Sequence, residues 1–146
     1  MKHVLPLLFF AFVSQLAFAQ ATAAVPVREA TDIQKDPVLG PRKFELERFS
    51  IHLSRLRNAC TARDANETAV YESTVLTAMR KSMEERMMKP LALPHAARDL
   101  EKMQQIFTDF TNYTSFDAAT PAVVTAKFAL LDEFQQLLQG QYDALK

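Results

Sequence analysis

Helical periodicity is clearest between Pro41 and Met88, where the chain reads PRKFELERFSIHLSRLRNACTARDANETAVYESTVLTAMRKSMEERMM. The first half of this stretch has an apolar stripe with members three or four positions apart: Leu46, Phe49, Leu53, Leu56 and Cys60. Because successive residues of an α-helix are rotated by about 100°, these side chains share one helix face. Pro41 suits the first turn of such a helix, where its missing N–H has no partner to lose. The pattern predicts an amphipathic helix that starts near Pro41.

The second half carries an apolar stripe of its own, made of Ala65, Ala69, Leu76, Met79, Met83 and Met87. If both stripes belonged to one continuous helix, the first would miss the second by roughly 140° of rotation. One helix cannot bury both faces against the same core, so the chain is predicted to break between Thr61 and Asn66. Asp64 or Asn66 is the predicted N-cap of the second helix, because a short polar side chain accepts hydrogen bonds from the free N–H groups there.

Two further amphipathic helices follow. Pro90 and Pro94 separate the third helix from the second, because each proline removes a backbone donor and restricts the residue before it. Thr120 followed by Pro121 is typical of a helix start and predicts the fourth helix. Four such segments joined by short connections predict an all-α domain over residues 41–146, an up-down-up-down four-helix bundle. The two glycines of the chain are too few for β-sandwiches, barrels or glycine-rich phosphate loops.

The N-terminal residues 1–19 have the layout of a secretory signal peptide. A basic start precedes an apolar run at residues 4–13, and Ala17 and Ala19 are the small residues expected before a cleavage site. The run is shorter than the about 20 apolar residues that span a bilayer. We therefore predict cleavage after Ala19 and export to the periplasm or the medium, with no membrane span in the mature form. Residues 20–40 lack a sustained periodicity and are predicted to be an extended lead-in. Thr31 or Asp32 could cap one helical turn near Thr31 to Gln34 within it.

Charge and cysteine content narrow the function classes. The chain has 17 basic and 17 acidic residues, so it lacks the basic surplus typical of nucleic-acid-binding proteins, and no nucleic-acid partner is predicted. Cys60 is the single cysteine and cannot form an intramolecular disulfide. We treat Cys60 as a candidate free thiol that is either buried or available to a partner.

Four apolar residues lie off the predicted core faces and are candidates for partner binding: Phe44, Ile51, Val70 and Met88. Apolar side chains that cluster on a surface often form protein–protein contacts. Together with the lack of catalytic and cofactor motifs, these residues favour a binding, chaperone or adaptor module for a protein or peptide partner, with a homodimer as one form of it. The same residues would also suit packing of the lead-in onto the bundle, and the sequence leaves both interpretations open.

A methionine-rich helix suggests an alternative function. Met79, Met83 and Met87 are spaced by four residues and so share one helix face. Thioether sulfur suits Cu(I), and Met103 or His95 of the third helix would complete a copper site in a metal carrier. The same spacing is typical of ordinary core packing, which we favour, and no cofactor is predicted in that case.

A third hypothesis concerns Glu72, which lies on the apolar face of the second helix. A buried carboxylate is costly unless it is paired, and Arg42 or Arg63 of the first helix is the predicted partner. Such a pair would mark the central pocket of a small secreted all-α enzyme. No Ser-His-Asp order, nucleophile elbow or zinc-protease motif is found, so enzymatic activity is the less favoured class. In the simpler interpretation the helix rotates slightly and Glu72 reaches water.

Overall fold

A computed structural model describes residues 30–146 of the protein, and side chains from Asp32 onward. These residues form five α-helices: α1 (Ala30–Lys35), α2 (Leu39–Ala62), α3 (Ala65–Met88), α4 (Ala96–Asn112) and α5 (Pro121–Ala144). A single 3-10 turn, Phe116–Ala118, lies between α4 and α5. The described chain contains no strand, which confirms the all-α prediction. The predicted signal peptide at residues 1–19 and the lead-in up to residue 29 lie outside the described residues.

The predicted break between the first two long helices is present. α2 ends at Ala62, and Arg63 takes the left-handed conformation with φ of 57°. Its N–H donates to the carbonyl of Cys60, so an arginine fills the place that glycine usually takes at a helix end. The carboxylate of Asp64 then accepts from the N–H of Glu67 at 2.9 Å and caps α3, as predicted.

The segment before α2 is helical at the place where the sequence allowed a single turn, near Thr31 to Gln34, and is not extended there. Residues 30–35 form α1, and α2 begins at Leu39 rather than Pro41. The earlier start has a local cause, because the carboxylate of Asp36 accepts from the N–H groups of Val38 and Leu39 at 2.8 and 2.9 Å. α1 lies directly against Gly40, where an added Cβ would be 2.7 Å from the carbonyl oxygen of Gln34. The glycine thus permits the close approach of α1 to the start of α2.

The four long helices form a ring in which each packs on two neighbours. α2 packs against α3 and α5, and α4 packs against the same two helices. Side-chain pairs link the end of one helix to the start of the helix before it. Arg86 near the end of α3 meets Glu45 near the start of α2, and Gln141 near the end of α5 meets Asp99 near the start of α4. Neighbouring helices therefore run antiparallel in a helical bundle. None of the helices within residues 30–146 is long and apolar enough to cross a membrane.

The core face of α2 follows its predicted stripe, whereas that of α3 does so only in part: Met79 and Met83 are buried as predicted, and Leu76 packs against the core. Leu46, Phe49, Leu53 and Leu56 are all buried. On α3 the predicted members Ala65, Ala69 and Met87 are exposed. The buried line there is Thr68, Glu72, Val75, Met79, Ser82, Met83 and Arg86. The rotation of α3 about its axis directs charged groups toward partners on other helices, and that orientation is not encoded in apolar spacing alone.

Candidate functional site

An open groove of about 510 Å³ lies between α2 and α3 on the outer side of the bundle. Its two walls are built from residues about one turn apart: Phe44, Arg48 and His52 on α2, and Ser73, Thr74, Thr77 and Lys81 on α3. Side chains three and four residues apart share a helix face, so each wall is a continuous stripe. We call this surface the α2/α3 groove.

The four predicted partner-binding residues are all exposed, and Phe44 is the one that lines the groove with 64% of its surface accessible. Ile51 lies seven residues after Phe44 and shares its line on α2. Val70 lies seven residues before Thr77 on α3 and continues the opposite wall. The residues therefore flank one face of the bundle.

Met88 extends this face toward the end of the bundle. It lines a second cavity of about 850 Å³ together with Val38, Pro90 and Leu91. The two cavities share Pro41 and Glu85 among their lining residues, so they adjoin each other. The α2/α3 face thus continues from the groove onto the connection that follows α3.

The α3 wall of the groove offers weakly polar surface. The hydroxyl groups of Thr74 and Thr77 donate to the carbonyls of Val70 and Ser73, one turn earlier, at 2.8 and 2.9 Å. Because these donors are already engaged within α3, the threonines contribute mainly van der Waals contact surface beside Phe44. The groove therefore suits an apolar side chain.

His52 contributes an unsatisfied polar atom to the groove. The Nε of Arg48 donates to Nε2 of His52 at 3.3 Å, so the proton of the neutral imidazole is on Nδ1. Nδ1 is buried and has no hydrogen-bond partner among the described residues. Partial burial, followed by the charges of Arg48 and Arg55, lowers the pKa of His52. His52 is therefore a neutral donor at pH 7.

A polar cluster lies beneath the groove and joins three helices. Arg86 is buried, and its Nη1 donates to Glu45 at 2.7 Å while its Nε donates to Gln141 of α5 at 2.6 Å. Arg42 also donates to Glu45 at 3.1 Å. Burial alone raises the pKa of Glu45, but the Arg86 charge and hydrogen bonds from Arg86, Ser82 and Arg42 lower it on balance. Glu45 is thus held as a carboxylate.

The partner of Glu72 is Lys127 of α5, rather than Arg42 or Arg63. Lys127 is only 1% exposed; its Nζ contacts the Glu72 carboxylate and donates to the carbonyl of Thr114 at 2.8 Å. The N–H of Phe116 donates to Glu72 at 3.1 Å. Glu72 is itself buried and does not reach water as the simpler interpretation expected.

The two arginines that were candidates for Glu72 have other positions. Arg42 pairs with Glu45 and with Glu85, and Arg63 is exposed at the end of α2. Because α3 and α5 lie diagonally across the ring, the Glu72–Lys127 pair joins helices that are not neighbours in it. Neither cavity described above includes Glu72. The Glu72–Lys127 cluster is therefore a closely packed ion pair in the interior rather than an open pocket.

The methionines of the copper hypothesis are divided between the core and the surface. Met79, Met83 and Met103 belong to the buried core cluster. Met87 is half exposed and accepts a hydrogen bond from Gln104, and His95 is exposed before α4. The described residues hold no group of three or more His, Cys, Asp or Glu suited to a metal ion. The core positions of Met79, Met83 and Met103 fit the packing interpretation.

Cys60 is a half-buried free thiol at the end of α2. The hydroxyl of Thr68 lies 4.0 Å from its sulfur. Burial raises the pKa of the thiol, with the Glu72 charge acting in the same direction and Thr68 and Lys127 opposing it. The protonated thiol is a weak nucleophile at neutral pH.

Sequence reasoning did not identify Lys127, Arg86 or Gln141. Each of them lies on the buried line of its helix, close to apolar residues of the core. A long polar side chain in a predicted apolar stripe is the signal that would have found them, because burial of such a group demands a partner.

Comparison with known proteins finds no matching family model, curated protein or solved structure.

Proposed function

We propose that this protein is an exported helical bundle that binds a protein or peptide segment in the α2/α3 groove, as a chaperone, adaptor or inhibitor-like module. The observation that carries the proposal is the exposed ring of Phe44 on the wall of that groove. An aromatic side chain at the edge of a concave surface is the usual anchor of a binding site, because it gives a large contact area at a small cost in conformational entropy.

The core of the bundle is complete without the residues of this face. Phe49 and Leu53 of α2 fill the interior, while Phe44 and Ile51 on the same helix remain in solvent. Packing of the bundle therefore gives no reason for these two apolar side chains, whereas contact with a partner does. Val70 and Met88 extend the same face in both directions.

The groove can be tested by selecting random 12-residue peptides from a display library on the wild-type protein. A Phe44→Ser/Ile51→Ser variant should retain at most about one tenth of the binding of the selected peptides, since removing a hot-spot anchor typically costs about 2 kcal/mol or more. Tyr113→Ser is the matched control, because Tyr113 is an exposed aromatic residue at the end of α4, away from the groove. Equal binding by the double variant and the wild type would place the site elsewhere.

Export belongs to the same proposal and has its own test. Residues 1–19 should be absent from protein recovered from the exported fraction, because the motif at residues 17–19 favours cleavage after Ala19. Native mass spectrometry of that fraction reports the cleaved mass and any retained ligand. An uncleaved chain found only in the cytosol contradicts the export part of the proposal and leaves the groove to be tested separately.

A further inference from the structure

We infer that the segment bound by the α2/α3 groove is acidic as well as apolar, with carboxylates directed at Arg48, His52 and Lys81 and an apolar side chain against Phe44. This inference rests on the proposed function and specifies the chemistry of the partner.

The first argument is the local charge around the groove. Arg48 and Lys81 line it, and Arg55 lies on the next turn of α2. The lining carboxylates are Glu45 and Glu85, and both are engaged by cations of the protein itself. Glu45 is held by Arg86 and Arg42, and Glu85 lies 3.7 Å from Arg42 and 3.9 Å from Lys81. The lining itself has two cations and two carboxylates. With the cations Arg42 and Arg86 that hold those carboxylates from beneath, four positive charges face two negative ones, although the whole chain is neutral. A partner complementary to this local excess is negative.

The second argument is the buried Nδ1 atom of His52. Its proton has no acceptor among the described residues, because Arg48 occupies the other ring nitrogen. A buried donor without a partner is unfavourable. When the His52 ring turns its Nδ1 toward the groove, an acceptor on a bound segment gains a hydrogen bond that the free protein lacks. Carboxylate oxygens are the strongest such acceptors in proteins, and the adjacent Arg48 favours a negative one.

The third argument is size. From Phe44 to His52 the α2 wall covers eight residues, which is about 12 Å of helix. A groove of about 510 Å³ over that length accommodates a few side chains rather than a whole domain. The fitting occupant is a short amphipathic segment of a partner protein, with one apolar anchor and one or two carboxylates.

The same charge argument disfavours two other occupants. A second copy of this chain would bring the same excess of positive charge to a two-fold interface, where like charges repel. Residues 20–29 of the chain contain Arg28 and Glu29, whose charges cancel. An acidic segment of a different protein is therefore the occupant to which the groove is complementary.

The test uses the intact exported protein and the peptides selected from the random 12-residue library. We expect these peptides to combine Asp or Glu with an aromatic or aliphatic residue. Raising the salt concentration from 0.05 to 0.5 M should weaken binding by about ten-fold, because salt screens exposed charges. Arg48→Gln/Lys81→Gln should weaken binding to a similar extent, about ten-fold at low salt. Arg98→Gln, an exposed cation on α4, is the control and should bind as the wild type does.

His52 is tested by a pair of variants. His52→Leu removes the donor and should weaken peptide binding several-fold, whereas His52→Gln retains an N–H and should lose less. Circular dichroism of each variant confirms that the bundle is folded.

Each other result has a definite meaning. Peptides that bind in a Phe44-dependent way but are neutral or basic, with no effect of salt, overturn the acidic-partner inference and leave the proposed function intact. Failure to select any peptide that depends on Phe44 overturns both. A homodimer that dissociates in Phe44→Ser/Ile51→Ser assigns the groove to a second copy, and binding that appears only after removal of residues 20–29 assigns it to that segment.

Discussion

The α2/α3 groove and the Glu72–Lys127 cluster are made from the same kinds of side chain, but they differ in whether the polar groups find partners within the protein. Both combine acidic and basic groups with phenylalanine. In the cluster, the Nζ of Lys127 lies 4.3 Å from the ring centroid of Phe116, and its carboxylate and carbonyl partners come from the chain itself. In the groove, Phe44 is exposed and the Nδ1 of His52 has no partner within the described chain. The buried pair satisfies its charges within the fold, whereas an exposed ring and an unpaired N–H beside the groove are available for recognition.

The largest effect on stability is expected when one member of the buried Glu72–Lys127 pair is removed. Lys127→Met leaves the Glu72 carboxylate in the interior without its counter-charge and should lower the free energy of unfolding by about 3–5 kcal/mol. Urea denaturation measures this loss. Glu72→Gln/Lys127→Met should recover most of it, because the amide still accepts from Phe116 and no buried charge remains. A Lys127→Met protein as stable as the wild type would remove the basis of the comparison.

A smaller, pH-dependent effect on stability is expected from Glu45, which lines the groove and forms an ion pair with Arg86 beneath it. Its pKa is lower in the folded protein than the ordinary 4.5, so the unfolded chain takes up a proton first as the medium is acidified. The stabilisation is complete above about pH 4.5 and is lost as the pH falls through the pKa of the folded state. Thermal unfolding between pH 7 and pH 3 measures it.

Glu45→Gln should be less stable than the wild type at pH 7 and should show a flatter decline in acid. Glu101→Gln, an exposed carboxylate of α4, is the control. Parallel curves for Glu45→Gln and the wild type would mean that the ion pair with Arg86 contributes nothing to folding.

His52 should give a weaker dependence at higher pH. Burial and the charges of Arg48 and Arg55 lower the pKa of His52 below the ordinary 6.5. As the pH falls below about 6.5, His52 is therefore protonated in the unfolded chain before it is protonated in the folded one. Stability is therefore full above about pH 6.5 and declines as the pH falls toward the pKa of the folded state. The loss is smaller than for Glu45 because His52 is more open to solvent. Melting temperatures at pH 7.5 and 5.5 test it, and His52→Gln should abolish this part of the difference.

The smallest effect on stability is expected from the groove anchors. Phe44→Ser/Ile51→Ser should change the free energy of unfolding by no more than about 0.5 kcal/mol, as exposed positions usually do. Leu56→Ala, a fully buried neighbour on the same helix, should cost about 2–5 kcal/mol and serves as the contrast. Unfolding of the double variant would show that Phe44 and Ile51 support the fold rather than a partner.

The features that depend on the periodicity of a single helix could be predicted from the sequence. The features that depend on how two helices are oriented toward each other could not. The stripe of α2, the break at residues 61–66 and the cap at Asp64 follow from local periodicity and local hydrogen bonds. The exposure of Phe44 and Ile51 follows in the same way, because they lie opposite a stripe that is buried. These parts were confirmed.

The incomplete predictions concern the extent of α1 and the pairings of α3. α1 has only six residues, too short for a periodic signal, and its place depends on the contact with Gly40. On α3 the sequence placed Glu72 on the apolar face but did not find its partner Lys127. It also missed the buried Arg86, whose partner is Gln141. Both partners lie 55 positions later in the chain. A pairing at that separation depends on how two helices are turned toward each other across the bundle, which no single-helix pattern contains.

The bond from Phe116 to Glu72 makes one loop amide unusual. This N–H lies in the connection between α4 and α5, where amides ordinarily exchange with solvent within brief local openings. Its acceptor is a buried carboxylate that is held in turn by Lys127 on a different helix. Exchange of this hydrogen for deuterium therefore requires the diagonal contact between α3 and α5 to separate. The hydrogen exchange of a single loop amide would then report on cooperative opening of the entire bundle. Its exchange rate would match that of amides in the middle of the helices.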